Sequence, residues 1–345
     1  MAAHRRMLDA NLNRLEEGLR VVEDAARFEL GDAAAAARLK RLRHDAGDLR
    51  QRFGGLTAAR DSLGDPGRRR IAEPARRPTF ASVVGASFGR VQQSLRVIEE
   101  LAKLEDAAAA RRAKAMRYAA YDLEKQLMPR LARHAAAARL RGLYLILSRP
   151  VAGYEKLTEL AVRRKVGAIQ LRAKELESAE LLALARRLRA ITSGSSTLFF
   201  VNDRADIARL SEADGLHLGQ RDLSVADARR IVGDRMLVGK STHNRRELTA
   251  ALREAPDYVG IGPLFTTQSK EQPDPTLGID GAARLLRGAG VPAVAIGGIT
   301  AANLADVLAA GFRSYALIAA VCQAREPERV LRELRRRERQ AGITA

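Results

Sequence analysis

Apolar and polar positions along this 345-residue chain follow two rhythms, which meet near residue 140. Before that point Ala, Arg, Leu and Glu recur at helical spacing with almost no strand signal. After it, short β-rich runs alternate with amphipathic helical stretches. The segment His134 to Arg141 reads as the tail of a helix that connects the two parts. The pattern therefore predicts an all-α helical domain over 1–138 and an α/β domain over 139–345.

The helical part repeats itself. NRLEEGLRVVEDAA from Asn13 aligns with GRVQQSLRVIEELA from Gly89, so Arg14, Leu19, Arg20, Val21, Glu23 and Ala26 recur as Arg90, Leu95, Arg96, Val97, Glu99 and Ala102. A second helix follows in each copy, RLKRLRHDAGDL from Arg38 and RAKAMRYAAYDL from Arg112. Each copy reads as an antiparallel helical hairpin, and two hairpins predict a four-helix bundle. The stretch between them, from Ala59 to Pro74, is too rich in Gly, Pro and Arg for a regular helix.

The second part offers eight strand candidates in order. They begin at Leu143, Ala168, Thr197, Asp214, Met236, Asp257, Ala293 and Ser314. Helical patterns of roughly ten to fifteen residues separate most of them. Eight βα units in about 200 residues predict a (β/α)₈ barrel, the TIM-barrel architecture, with its site at the C-terminal ends of the strands. A doubly wound open sheet is the alternative, but no Gly-rich dinucleotide turn follows the first strand.

Polar residues do cluster just after the strands. The second strand ends in Gln170-Leu171-Arg172-Ala173-Lys174, and alternation predicts Gln170, Arg172 and Lys174 on one side. The third ends in Asn202-Asp203, and the fourth leads to Gln220-Arg221-Asp222. Asp203 and Asp222 are expected at neighbouring barrel mouths, where they can share one hard cation, because Mg²⁺ takes one or two carboxylates plus phosphate oxygens and water. His217 has no second histidine at metal spacing, so it reads as a structural residue. The fifth strand runs into Lys240-Ser241-Thr242-His243, and the sixth leads to a hydroxyl-rich loop from Gly262 to Lys270. After the seventh and eighth come Gly297-Gly298-Ile299-Thr300 and Ile318-Ala319-Ala320, where glycines let backbone N–H groups approach a phosphate. One metal site, several cations and a separate phosphate nest suit one substrate with a pyrophosphate and another with a monophosphate. No nucleophile–base pair stands out, so electrostatics is expected to carry the chemistry.

Composition narrows the classes. The chain is 46% hydrophobic with no long uncharged apolar run, which excludes a membrane-spanning helix, and its start lacks the apolar core of a signal peptide. One cysteine, Cys322, excludes an internal disulfide and a cysteine metal cluster. A cytoplasmic protein is expected. The net charge of +19 invites a nucleic-acid reading, but the basic residues are dispersed and only 4% of the chain is aromatic, so stacking platforms for bases are scarce. Small polyanionic substrates are the expected partners, with no nucleic acid and no membrane; a homo-oligomer stays open.

From Gly142 to about Ala324 the chain resembles thiamine phosphate synthase. The Gln-Leu-Arg-x-Lys, Asn-Asp, Asp-Gly-x-His-x-Gly-Gln-x-Asp, Gly-Pro-x-Phe and Gly-Gly-Ile-Thr signals stand in that family's order. The resemblance implies that a pyrimidine diphosphate and a thiazole phosphate condense to thiamine phosphate, releasing pyrophosphate. It implies Asp203 and Asp222 as Mg²⁺ ligands, with Arg172, Lys174, Asn202 and Lys270 on the pyrophosphate and Gln170 and Ser241 near the pyrimidine. The whole run Gln170 to Lys174, Leu171 and Ala173 included, is carried over as substrate-binding, with Arg172, Lys174, Ser241 and Lys270 as catalytic. Thr267, Gln268, Ser269, Gly298, Ile318 and Ala319 are implied at the thiazole phosphate. Three positions depart from the usual pattern: Thr266 replaces proline, Ser269 replaces threonine, and Ala319 replaces serine and removes a hydroxyl donor.

The helical part resembles the domain fused to such synthases and assigned as a hydroxymethylpyrimidine phosphate kinase. The resemblance rests on Asn11 to Arg14, Leu19-Arg20-Val21, Ala59-Arg60-Asp61 with Gly64-Asp65, and Gly89-Arg90 with Leu95-Arg96-Val97. It implies ATP as a second cofactor. Arg20, Glu23 and Arg27, like Arg96, Glu99 and Lys103, share a helix face that can line a phosphate pocket or simply meet solvent. No GxxxxGK[ST] loop is present, so an ATP cradle here takes another form. Arg60, Asp61 and Asp65 are the candidates in the connector. A thiazole tautomerase on the same barrel, and a regulatory or RNA-binding protein, stand as rival readings.

Overall fold

The computed structural model describes residues 2–60, 76–267 and 274–343. The chain divides into two compact units, Met1–Ala132 and Arg133–Ala345.

The first unit is built from four long helices: α1 (Ala2–Asp24), α2 (Ala33–Arg52), α3 (Phe80–Ala102) and α4 (Ala107–Ala137), the last turn of α4 belonging to the second unit. Their starts are fixed locally. The Asp32 carboxylate accepts from Ala35 N, and Thr79 with Ser82 forms a reciprocal capping box ahead of α3. Apolar residues at intervals of three and four then bury one stripe per helix. Leu8, Leu12, Leu15 and Leu19 of α1 meet Leu39 and Leu49 of α2, Phe88, Val91 and Leu95 of α3, and Leu123 and Leu127 of α4 in one core. The duplication seen in the sequence is thus a duplication of packing: Leu12 and Phe88, Leu15 and Val91, Leu19 and Leu95 hold corresponding places.

The second unit is a closed barrel of eight parallel strands in sequential order, β1 (Gly142–Leu147), β2 (Ala168–Leu171), β3 (Leu198–Asn202), β4 (Gly215–Leu218), β5 (Leu237–Thr242), β6 (Tyr258–Ile261), β7 (Ala293–Ala295) and β8 (Ser314–Leu317). All eight coincide with the runs expected from β-rich patterning. Alternation sorts the side chains into two layers. Leu145, Ile169, Phe199, Leu216 and Val259 point outward into the packing between strands and helices. Tyr144, Ala168, Phe200, Leu237, Tyr258 and Ala316 fill the interior together with Ala137 and Leu140 from the segment leading into β1. Gly239 makes this filling possible, since a Cβ there would stand 2.1 Å from the Tyr258 ring.

The final helix, Pro327–Gln340, closes the structure from outside the barrel. Its Glu338 is fully buried; the carboxylate accepts from Leu143 N at 2.8 Å and from the Tyr315 hydroxyl at 2.8 Å, and pairs with Arg335. No described helix is long and apolar enough to cross a membrane.

Candidate active site

A cavity of about 650 Å³ opens at the C-terminal ends of the strands and is lined from every side of the barrel. Gln170 and Arg172 reach it from β2, Asn202 from β3, His217 from β4, Ser241 and His243 from β5, and Thr267 from the loop after β6. Gly297, Gly298, Ile318 and Ala319 close it after β7 and β8.

The expected alternation holds only where the strand lasts. Gln170 and Arg172 line the cavity, while Leu171 and Ala173 pack outward in the layer beneath the helices. Any contact that Leu171 and Ala173 make with a ligand in the cavity is therefore through the backbone rather than the side chain. Lys174 lies beyond the end of β2, where the chain turns, and is exposed, with Nζ 3.6 Å from Asp203 Oδ2. It is reached through Asp203 rather than by strand alternation.

Asp203 sits in the left-handed region at φ 61°, a conformation Asp tolerates better than most residues. Its N–H donates to His217 O at 2.9 Å, which locks the carboxylate at the mouth between β3 and β4. Asp222 is fixed by its own turn, Oδ2 accepting from Gly219 N at 2.6 Å. Burial first, and the neighbouring Asp222 carboxylate second, push the Asp203 carboxyl up to about 6 against the pull of Lys174 and Arg172. Two hard oxygen donors that repel each other this way suit a divalent cation, which relieves the repulsion and finds its remaining ligands on substrate phosphate and water. No group of three or more His, Cys, Asp or Glu side chains is placed for a metal among the described residues.

The opposite wall is a backbone surface. Gly298 adopts φ 66°, and a Cβ there would come within 2.6 Å of Thr266 O, so only glycine fits. Ile318 and Ala319 border the same wall, with Thr267 across from them. Ala319 lines the cavity and brings no hydroxyl to it. Gln268, Ser269 and Lys270 lie outside the described residues.

The barrel interior below the cavity holds groups that the sequence reading passed over. His217, expected to be structural, bonds Ser241 Oγ through Nε2 and the Tyr258 hydroxyl through Nδ1, each at 2.9 Å. Ser241 and His217 are thus a hydroxyl–imidazole pair that the sequence did not suggest, because two strands far apart in the chain supply it. Tyr144 and Tyr258 extend the chain of bonds to Gln170. Their regular strand spacing marked them only as core. His243 is held between Gly262 O at 2.6 Å and Asp274 Oδ2 at 3.2 Å.

The helical unit carries its own polar constellation. Asp9, 3% exposed, accepts from Arg50 at 3.0 Å and from Arg60 at 2.5 Å, while Arg50 also donates to Asn13 at 2.7 Å and Glu16 at 3.0 Å. The hydrogen bond from Arg60 is the largest of several contacts that hold the Asp9 carboxyl below its usual range. The duplication supplies an internal comparison. The pair Glu23–Arg43 at 2.9 Å recurs as Glu99–Arg117 at 2.8 Å, so the carboxylates of the repeated stripe are spent on the next helix rather than on a shared phosphate pocket. Asp9, Asn13 and Arg50, in contrast, correspond to Gly85, Gly89 and Glu124, and the second copy folds without them. Asp61 and Asp65 lie outside the described residues.

Comparison with known proteins covers both units. The thiamine monophosphate synthase family matches residues 143–321, and the ThiD2 family matches residues 6–126. A thiamine-phosphate synthase of Thermosynechococcus vestitus is 42% identical over 96% of this chain and 94% of its own length. One from Nostoc punctiforme is 39% identical over 95% and 92%. Among solved structures, a thiamine phosphate pyrophosphorylase from Pyrococcus furiosus superposes with a TM-score of 0.55 at 30% identity, covering 59% of this chain and 98% of that one.

Proposed function

This chain belongs to the thiamine monophosphate synthase family, and on that premise we propose that its barrel joins an aminopyrimidine carrying a diphosphooxymethyl arm to a thiazole phosphate, giving thiamine phosphate and pyrophosphate. The observation that carries the reading is the facing pair Asp203 and Asp222, with Lys174 beside Asp203, next to the Arg172 and Asn202 that line the cavity, while Gly297 and Gly298 line it after β7. One end suits a pyrophosphate with its metal; the other suits a monophosphate.

Asp203 and Asp222 would hold Mg²⁺, which when bound supplies charge neutralisation for the departing pyrophosphate. Arg172, Lys174 and Asn202, with Lys270 of the β6 loop, bind and orient that leaving group. The bond between the methylene carbon and the diphosphate oxygen breaks, and its electron pair leaves with pyrophosphate. The positive methylene carbon is stabilised by the ring's amino group until the thiazole nitrogen contributes its lone pair to the new C–N bond. No proton has to move, so the protein's share is leaving-group binding and alignment of the two rings. Gln170 and Ser241 hold the pyrimidine; Gly298, Ile318, Ala319 and Thr267, with Gln268 and Ser269, hold the thiazole phosphate. The backbone N–H of Ala319 takes over where a serine would add a hydroxyl.

For the helical unit we propose the preceding step, transfer of a terminal phosphoryl group from ATP to hydroxymethylpyrimidine phosphate, which yields the diphosphate and ADP. The ThiD2 match and the one-sided constellation of Asp9, Asn13, Arg50 and Arg60 support it. Both steps use soluble small molecules, in keeping with work in the cytoplasm and with a multifunctional chain.

A product assay with Mg²⁺, ATP and thiazole phosphate tests both steps at once. Thiamine phosphate formed from the pyrimidine monophosphate establishes both activities; product from the diphosphate alone removes the kinase proposal; product from neither removes the synthase. Asp203→Ala is expected to lower turnover of the diphosphate about a hundredfold or more with an unchanged circular dichroism spectrum. Full activity in that variant would remove the metal assignment.

A further inference from the structure

Five side chains from five different strands form one unbroken line of hydrogen bonds beneath the cavity. Gln170 Nε2 donates to the Tyr144 hydroxyl at 3.1 Å; Tyr144 meets the Tyr258 hydroxyl at 2.9 Å; Tyr258 meets His217 Nδ1 at 2.9 Å; and His217 Nε2 meets Ser241 Oγ at 2.9 Å. Both ends of the line, Gln170 and Ser241, reach the cavity, and both tyrosines are buried.

The proton count along the line leaves one arrangement. A phenol has a single hydrogen to give, and burial keeps both phenols protonated. Gln170 donates to Tyr144, so the oxygen left on the line to accept the buried Tyr144 hydrogen is that of Tyr258; were Tyr258 to donate instead, that hydrogen would have no acceptor. Tyr258 in turn must donate to His217 Nδ1. The imidazole is then neutral with its proton on Nε2, and gives it to Ser241 Oγ. Two groups remain unspent, the Gln170 carbonyl oxygen at one end and the Ser241 O–H at the other.

We propose that Tyr144, Tyr258 and His217 are positioning residues that set this polarity, so that the cavity offers an acceptor at Gln170 and a donor at Ser241. Resting on the synthase reading, the relay selects a ring that presents an amino N–H and an unprotonated nitrogen, which an aminopyrimidine does. Its oxo counterpart presents a carbonyl and a protonated nitrogen, and would leave both ends of the relay mispaired in a site shielded from water. The same polarity excludes a serine nucleophile. His217 Nε2 carries a proton already and cannot accept the one on Ser241.

Two measurements test this. In protein labelled with ¹⁵N-histidine, the five histidines give few signals, and His217→Asn assigns the one of interest. His217 is expected as the Nε2–H tautomer at the pH of the activity assay. An Nδ1–H tautomer overturns the relay and restores the serine–histidine pair. In the second measurement, KM for the aminopyrimidine diphosphate is compared with the inhibition constant of its oxo analogue. The wild-type protein should favour the amino form by about tenfold or more. Tyr258→Phe, which keeps the ring and removes one link, should narrow that preference to about threefold or less while KM for the thiazole phosphate stays unchanged. An unchanged preference in Tyr258→Phe overturns the proposal. A wild-type protein that makes no thiamine phosphate would sink the synthase reading instead, and the tautomer would still decide the relay.

Discussion

At the scale of single residues, a charged group is kept inside the protein only where its partners repay the loss of water. Asp9 is the clearest case, a nearly buried carboxylate gripped by Arg60 and Arg50. These contacts hold its carboxyl below the value it has in the unfolded chain. Such a group contributes stability that is complete above the unfolded value and is lost as pH falls through the folded one. Asp9→Asn should therefore destabilise the helical unit by about 1 to 2 kcal/mol at neutral pH, with the difference from wild type fading in acid. Urea unfolding followed by circular dichroism at both pH values checks this. A difference that grows in acid would mean that Asp9 is not ionised in the folded state. Asp203 is shifted the other way, because burial and then the neighbouring Asp222 carboxylate outweigh the pull of Lys174 and Arg172.

At the scale of elements, the barrel depends on a helix that lies outside it. β1 and β8 are neighbours, and Glu338 of the final helix accepts from the backbone of one and from a side chain of the other. Removing that carboxylate would leave two buried donors without an acceptor and Arg335 without its partner. Glu338→Ala is expected to cost about 3 to 5 kcal/mol, read as a lower melting midpoint. Glu333, one turn earlier on the same helix, pairs with Arg336 and Arg337 near the surface, and Glu333→Ala should leave the midpoint unchanged. Equal effects from the two variants would show that the final helix contributes helicity rather than closure. The helical hairpins make a parallel point: Glu23–Arg43 and Glu99–Arg117 recur because both copies must join neighbouring helices, whereas the Asp9 cluster occurs once.

At the scale of the whole molecule, the two units have separate cores and separate family matches. The division falls within α4, where Arg133 bonds Asp257 at 2.9 Å and Ala137 packs inside the barrel. A fragment beginning at Arg133 should therefore fold and make thiamine phosphate from the diphosphate. One beginning at Arg139 lacks both contacts and should melt at a lower temperature. Equal stability of the two fragments would show that these residues add nothing to the barrel.

Local periodicity was enough to place all eight strands and the repeated hairpins, because alternation and helical spacing are properties of adjacent residues. Motif order was enough to collect Gln170, Arg172, Asn202, Asp203, Ser241 and Gly298 as site candidates, since each stands at or just past the C-terminal end of a strand. Where periodicity ended, so did the reading: Leu171 and Ala173 shared a motif with Gln170 but face the other layer, and Lys174 lies past the strand. Tyr144 and Tyr258 carry no local mark of function, and His217, though part of a family signal, reads from the sequence as a structural residue. They are far apart in the chain, and only closure of the barrel brings their hydroxyls and imidazole within hydrogen-bonding distance. The sequence by itself determined which elements form and which chemistry stands at their ends. The tertiary structure alone decided which buried groups touch, because a hydrogen bond is set by distances of about 3 Å that sequence spacing does not encode.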